Sequence, residues 1–350
     1  MSSLLRRTAM ALPAAAYGLA MRLRNAWYDR RPPDCVAGIP VISVGNLTMG
    51  GTGKTPLVAW LVRRLAADRA FPAVVSRGYG GSAGPGPLVV SIGDGPRVDA
   101  RVCGDEPHLL ARTLPGAVVI VGSDRVAGVR AAAAAGASCV VLDDGFQHRR
   151  LFRDLDLLVL DARAPFDGGR LLPAGTLREP PRAIARAGVV ILTRLAEGDP
   201  AKEAQAAVRA AGFSGPIVRA GHRVVGFFGA GGEARPVPAR ALAFCGIGDP
   251  SLFVADLGVA KVHLEGVRAF RDHHVYTPSR WDALRAEARR LGVPLVTTEK
   301  DLSRLEAAVG EGLKAAPLLV LRIEARVWDE GKLLAAVRRA RHEGGRGRPA

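Results

Sequence analysis

Val41-Ile42-Ser43-Val44-Gly45-Asn46-Leu47-Thr48-Met49-Gly50-Gly51-Thr52-Gly53-Lys54-Thr55-Pro56 carries a buried apolar run into a glycine-rich turn and then into an amphipathic pattern. Glycines let successive backbone N–H groups point at one phosphate chain without Cβ collisions, and a helix N-terminus adds favourable partial charge. On this reading Thr48, Met49, Gly50, Gly51, Thr52 and Gly53 wrap the phosphates of a nucleotide. Lys54 neutralises the β- and γ-phosphates, and Thr55 offers its hydroxyl to Mg²⁺. Pro56 suits a first helical turn, where its missing N–H has no partner to lose. The strict spacing of such loops places Gly at position 48, where this chain has Thr48.

Outward from the loop, short β-branched runs alternate with helical patterns, the habit of βαβ units around a mainly parallel sheet. Strands are expected at 40–44, 73–76, 117–121, 139–142, 155–160 and 189–193, with helices at 55–66, 124–135 and 201–211. A second series has strands at 242–245, 294–298 and 318–323 and helices at 250–257, 279–291 and 329–341. Periodicity is lost and glycine accumulates near 221–232, which suggests a link or hairpin. The expected organisation is therefore an N-terminal membrane-associated helix over 1–30 and a P-loop domain over 31–225. A smaller C-terminal α/β domain follows over 226–342, then a loose tail over 343–350.

Cys139-Val140-Val141-Leu142-Asp143-Asp144-Gly145 reads as a buried strand ending in two acids. Beside a phosphate loop, an acid at that end can hold Mg²⁺ directly or through water, and adjacent carboxylates need a cation or donors to compensate them. Gln147, His148, Arg149 and Arg150 follow at once, a set of donors suited to a phosphorylated substrate. Gly104-Asp105-Glu106-Pro107 reads by itself as a short acidic surface turn, and Arg271-Asp272-His273-His274 as a polar turn.

The chain has 350 residues and a formal charge of +16, with 49 Lys and Arg. Such a field attracts polyanions without choosing among them. No aromatic run interleaves with Arg to stack bases, so nucleic acid is not expected as a partner. The four cysteines (Cys35, Cys103, Cys139, Cys245) have no C-x-x-C spacing and read as reduced structural thiols of a cytosolic compartment. Arg6 and Arg7, an apolar stretch over 9–21, then Arg22 and Arg24 are too short and too broken by Pro13 to span a bilayer. A cleaved signal would export the phosphate loop away from ATP. The remaining choices are an interfacial helix at an anionic membrane surface or a helix docked on the core.

Taken together, these segments resemble the tetraacyldisaccharide 4'-kinase family, which phosphorylates a disaccharide 1-phosphate precursor of lipid A. The resemblance rests on the phosphate loop, Ser76-Arg77-Gly78-Tyr79-Gly80-Gly81, Gly104-Asp105-Glu106-Pro107 and Asp143-Asp144-Gly145-Phe146-Gln147-His148. Leu172-Pro173-Ala174-Gly175-Thr176-Leu177-Arg178-Glu179-Pro180 and Phe270-Arg271-Asp272-His273-His274-Val275-Tyr276 complete it, all in family order. Thr48 belongs to that family's own form of the loop. The resemblance implies ATP and Mg²⁺ as cofactors, a two-domain α/β fold and a membrane-associated N-terminal helix at the cytoplasmic face of the inner membrane. It implies an anionic acylated disaccharide as substrate and no obligatory protein partner. It also implies Asp105 with His273 as the proton-handling pair, Asp143 and Asp144 near the metal, and Arg77, Arg125, Gln147, His148 and Arg178 on the substrate's phosphate and sugar. A GTPase switch is disfavoured because no N/T-K-x-D element is present. A nucleic-acid-dependent ATPase has only charge in its favour, and a ligase with a related loop would require a carboxylate substrate.

Overall fold

The structure is a computed structural model that describes residues 10–36, 38–313 and 317–344. After helix α1 (Ala11–Asp29), the first half of the chain runs β1 (Val41–Gly45), α2 (Lys54–Ala67), β2 (Pro72–Ser76), β3 (Leu88–Ile92), α3 (Ala100–Cys103), α4 (Asp105–Thr113) and β4 (Val118–Val121). It continues through α5 (Arg125–Ala134), β5 (Cys139–Asp143), β6 (Leu155–Asp161), β7 (Val189–Thr193), α6 (Lys202–Ala210) and β8 (Ile217–Phe228). The second half adds β9 (Ala234–Arg235), β10 (Arg240–Cys245), α7 (Pro250–Val259), β11 (His263–Ala269), α8 (Pro278–Leu291), β12 (Leu295–Thr298), α9 (Glu299–Val309), β13 (Leu318–Val327) and α10 (Glu330–Gly344).

The strands join one sheet in the order β11-β10-β12-β13-β8-β7-β6-β1-β5-β2-β4-β3, with β9 hairpinned on β8. Pairing is parallel except where β3 meets β4, β8 meets β13 and β9 meets β8. The central strands β1, β2, β5 and β7 are buried along their whole length, because helices cover both faces of the sheet. Strand β1 lies between β5 and β6. From it the chain first builds outward to one side and later to the other, so the crevice beyond its carboxyl end is a topological switch point. The phosphate loop emerges there.

Helix α2 lays Leu57, Val58, Leu61 and Leu65 on one face of this sheet, in one core with Val44, Val141 and Val159. Helix α5 covers the opposite face with Val126, Val129 and Ala132. A separate pair of cores surrounds β10 and β12.

The expected boundary at 225/226 falls inside β8. This twelve-residue strand pairs in parallel with β7 through its first residues and antiparallel with β13 through the rest. It is the shared member of both halves; residues 221–228, expected as a link or hairpin, are part of this strand, and the tight turn into β9 lies between Gly229 and Gly232. Nor does α10 stay with the second half. Leu333 and Val337 join the core of β1, β6 and α2. Glu343 and Gly344, expected in a loose tail, are the last residues of that helix, and 345–350 lie outside the described residues.

Helix α1 has one side docked on the core and the other exposed. On the docked side Gly18 packs against Leu171, the Tyr17 hydroxyl donates to the Arg178 carbonyl at 2.9 Å, and Asn25 donates to Glu179 at 2.9 Å. On the other, Leu12, Leu19, Leu23 and Trp27 stand exposed, and the Arg31 guanidinium caps the Trp27 ring at 4.2 Å. Residues 1–9 lie outside the described residues. No helix among the described residues is long and apolar enough to cross a membrane.

Because α10 closes the first half's core, Leu333→Ala should destabilise the protein by about 2–5 kcal/mol in urea denaturation. Hydrogen exchange should quicken in β1 and β6; unchanged exchange there would refute the assignment of this helix to the first half.

Candidate active site

The loop at residues 46–53 is held from three directions. Buried Asn46 donates to Thr52 Oγ1 at 3.2 Å and faces Thr48 Oγ1 at 3.5 Å. Thr48 pairs antiparallel with Leu177: the Met49 amide donates to the Thr176 carbonyl and the Arg178 amide to the Leu47 carbonyl, both at 2.7 Å. On the far side the Thr193 hydroxyl donates to the Thr52 carbonyl at 2.8 Å, and the Arg194 guanidinium donates to the Gly51 carbonyl. Gly53 adopts φ +80°, which delivers the chain into α2. Of the loop residues expected on a nucleotide, Met49 has its amide engaged by Thr176 and its side chain exposed. Met49 and the turn from Gly50 to Thr55 line the same cavity as Asp143 and Asp144.

The motif Gly104-Asp105-Glu106-Pro107 is not a surface turn. Gly104, at φ +90°, breaks the chain between α3 and α4, and a Cβ there would stand 2.7 Å from the Tyr79 carbonyl. The glycine-rich segment after β2 presses on this break, so Asp105 and Glu106 open α4 beside the phosphate loop. Asp143 and Asp144 arrive at the end of β5, and Asp144 takes the left-handed conformation that turns its carboxylate toward Lys54.

Four acids thus face one crevice, and cations from four chain segments answer them. Lys54 Nζ lies 3.4 Å from Asp144, whose other oxygen accepts from Arg178 at 2.7 Å. Glu106 accepts from the Thr55 hydroxyl at 3.3 Å and pairs with Lys300 of α9. Asp105 accepts from Arg304, one turn later on α9, through Nε at 2.8 Å, and its Oδ2 lies 3.3 Å from His273 Nδ1. Burial pushes the Asp105 carboxyl up, yet the His273 hydrogen bond and the Arg304 and Lys300 charges outweigh it and hold the group well below the usual range. His273 is raised in turn, chiefly by its hydrogen bond to Asp105. Asp143 has no such cation at contact distance; burial, then the charges of Glu106 and Asp144, push it up to about 7.

The two adjacent histidines separate cleanly. His273 sits at φ +57° with its amide on the Gly246 carbonyl, and its ring meets Tyr79 edge-on. His274 stacks on Phe270 at 4.4 Å, a packing role. Arg77 is exposed and lines the same crevice as buried Arg125, the first residue of α5. Arg125 donates to the Gly122 carbonyl at 2.5 Å while its Nε has no partner, and burial lowers it to about 10. His148 is held down to about 4, by burial and then by Arg125 and Arg153, and its buried Nε2 also lacks a partner. Gln147 is tied into the framework, donating to the Asn46 carbonyl at 2.9 Å and to Glu179 at 3.2 Å.

Lys54, Thr55, Arg77, Glu106, Arg125, Asp143, Asp144, His148, Arg178, His273 and Lys300 line one cavity of about 870 Å³, and Asp105 and Arg304 are bonded to that wall without being part of it. The cavity reaches from the second half (Phe253, Leu321, Ile323) past the phosphate loop to Tyr17, Met21 and Arg24 of α1. Among the described residues no three His, Cys, Asp or Glu side chains form a ready-made metal cage. That fits Mg²⁺, which keeps waters and takes phosphate oxygens together with one or two carboxylates. The oxygen-only donors Thr55, Asp143, Asp144 and Glu106 suit that ion.

Sequence reading missed Glu106, Lys300 and Arg304. The signal was present: Thr297-Thr298-Glu299-Lys300-Asp301-Leu302-Ser303-Arg304 follows a strand end, just as Asp143 does, and places two cations at i, i+4 on one helix face.

A glycine loop joining a buried strand to a helix at the switch point, with acids at a neighbouring strand end, defines a P-loop nucleotide-binding protein. The family model for Tetraacyldisaccharide-1-P 4'-kinase matches residues 7–341. A Tetraacyldisaccharide 4'-kinase of Chlorobium luteolum is 42% identical over 85% of this chain and 87% of its own length. One of Anaeromyxobacter dehalogenans is 41% identical over 93% and 88%. The crystal structure of the "apo" form LpxK from Aquifex aeolicus in complex with ATP superposes with a TM-score of 0.76 at 30% identity, covering 95% of this chain and 99% of that one. The chain belongs to the tetraacyldisaccharide 4'-kinase family.

The raised Asp143 carboxyl sets a pH dependence. A group lifted from about 4 in the unfolded chain to about 7 when folded makes the folded state bind the extra proton, so stability falls as pH rises through that window. Asp143→Asn should therefore raise the melting temperature of the metal-free protein more at pH 8 than at pH 5. An equal shift at both pH values, or a loss at pH 8, would contradict this origin.

Proposed function

We infer that the protein transfers the γ-phosphoryl group of Mg-ATP to the 4'-hydroxyl of a tetraacyldisaccharide 1-phosphate, forming the 4'-phosphorylated lipid A precursor, lipid IVA. The observation that carries this reading is the single cavity joining the phosphate loop to the inner side of α1. The same helix shows solvent a stripe of Leu12, Leu19, Leu23 and Trp27, so one element borders both an apolar exterior and the phosphate crevice.

The Gly50–Gly53 turn, Lys54 and the start of α2 hold the triphosphate, and Thr55, Asp143 and Asp144 hold the ion. Bound Mg²⁺ supplies charge neutralisation of the β- and γ-phosphate oxygens. Arg77, Arg125 and Arg178 form the basic wall for the acceptor's phosphate and sugar, with His148 beside them and Gln147 fixing the backbone beneath. The acceptor hydroxyl oxygen bonds to the γ-phosphorus, the bond to the β-bridging oxygen breaks, and ADP leaves. The hydroxyl proton passes late in the transfer to Asp105, which is held ionised and is oriented by His273. A carboxylate with so low an affinity for protons is a weak base, suited to a loose transition state in which the hydroxyl loses its proton only as the new bond completes.

The exposed side of α1 is placed at the lipid surface, on the cytoplasmic leaflet where ATP is available. Arg22, Arg30 and Arg31 meet the headgroups, and the acyl chains of the substrate stay in the bilayer.

With labelled ATP and the tetraacyl disaccharide 1-phosphate in mixed micelles, the wild type should yield labelled lipid and Lys54→Ala should lose at least about a hundredfold of it. No labelled lipid from folded, ATP-binding wild type would remove this acceptor. In a separate experiment, Leu19→Asp with Leu23→Asp should release the protein from vesicles containing anionic lipid while leaving its melting temperature within about a degree, since both side chains are exposed. Undiminished co-sedimentation would refute the membrane role of this stripe.

A further inference from the structure

Resting on the phosphotransferase reading above, we propose that Lys300, delivered by α9 from the second half of the fold, is a catalytic residue: a second cation on the phosphoryl group in transfer. Its ammonium lies on the Glu106 oxygen that also accepts the Thr55 hydroxyl at 3.3 Å. Thr55 is the residue a phosphate loop uses on the metal that bridges the β- and γ-phosphates. The Lys300 amine thus meets the same carboxylate oxygen as Thr55, while the Lys54 amine faces Asp144, so two cations border the crevice that holds Thr55.

The position of Lys300 is built rather than incidental. The Thr298 hydroxyl caps α9 by accepting the Asp301 amide at 3.2 Å, and the Thr297 hydroxyl donates to the Phe244 carbonyl at 2.9 Å. Asp301 is anchored by the Gly246 amide and the Tyr276 hydroxyl, each at 3.0 Å. The first turn of α9 is thereby locked at the strand end facing the phosphate loop.

Its neighbour Arg304 plays a different part. That guanidinium is spread over Asp105, Asp301 and the Gly246 carbonyl, so it clamps rather than probes. Lys300 carries three donors, and among the described residues Glu106 is the acceptor that meets them. An ion held by Thr55 and Glu106 would compete with Lys300 for that carboxylate and would leave the ammonium's donors to phosphate oxygens bound in the same crevice. Charge spreads over these oxygens in a loose transition state, and a cation supplied from a second element there accelerates phosphoryl transfer strongly.

The test compares wild type with Lys300→Met and Lys300→Arg. It measures kcat and KM for Mg-ATP together with the affinity for Mg-ADP, with and without aluminium fluoride as a mimic of the phosphoryl group in flight. Lys300→Met should lower kcat by roughly 10²–10³-fold and lose the tightening that aluminium fluoride brings, with Mg-ADP affinity kept within about threefold. Lys300→Arg should recover at least about tenfold of that kcat. A kcat within about fivefold of wild type, undiminished tightening, or a fall in Mg-ADP affinity equal to the fall in kcat would each overturn the proposal. If Lys300→Met does not fold, Lys300→Arg decides, since loss of the fluoride tightening with the positive charge retained and Mg-ADP still bound would also overturn it. The fluoride measurement needs no lipid, so failure of the proposed acceptor and failure of Lys300 are read separately.

Discussion

Four carboxylates crowded at one phosphate loop impose the constraint on which the remaining architecture depends. Buried acids in this number repel one another, and burial alone drives each toward its neutral form. The chain resolves this with cations drawn from distant segments: Lys54 from the loop, Arg178 from the segment after β6, Lys300 and Arg304 from α9. Among the described residues no cation stands at contact distance from Asp143, and burial with the charges of Glu106 and Asp144 raises it despite Lys54 and Lys300. A site balanced except for one carboxylate is prepared for a divalent ion; a fully neutralised one would have to break pairs to admit it.

This balance also explains the topology. Arg304 and Lys300 reach α4 only because β13 returns antiparallel along β8 and places the strand ends of the second half opposite the phosphate loop. Arg112 to Glu306 at 2.7 Å and Arg194 to Asp249 at 2.8 Å tie the same two faces together. Exposed pairs among these add little to stability. Their effect is to set the register in which Asp105 meets both Arg304 and His273.

Much of this was legible in the sequence where burial on both faces dictates composition. Strands β5 and β7 announce themselves by runs of Val, Ile and Leu, β1 by Val41, Ile42 and Val44 around Ser43, and the loop after β1 by its glycines. Strand β8 was not legible because Gly221 and Gly226 interrupt it for tertiary reasons. A Cβ at Gly221 would strike the Leu195 carbonyl, and Gly226, at φ +152°, sits where the register against β13 shifts. Helix α4 was hidden because its start is set by backbone contact between Gly104 and the segment after β2, which no local pattern encodes. The cations of α9 were overlooked although Thr298 and Asp301 stand at capping spacing. Charged i, i+4 pairs on a helix normally face solvent, and only the sheet order turns this pair inward.

Helix α1 gains its significance from what it docks on. Leu171, Arg178 and Glu179, which receive Gly18, Tyr17 and Asn25, belong to the segment that pairs with the phosphate loop at Leu47, Thr48 and Met49. One short stretch therefore touches the loop on one side and the N-terminal helix on the other. On the proposed reading, with the outer side of α1 in the lipid surface, this stretch fixes the height of the γ-phosphate above the bilayer. A hydroxyl carried on an anchored lipid then needs only lateral diffusion and rotation to reach it. Positioning of that kind lowers the entropic barrier to transfer before any side chain acts on the reacting atoms.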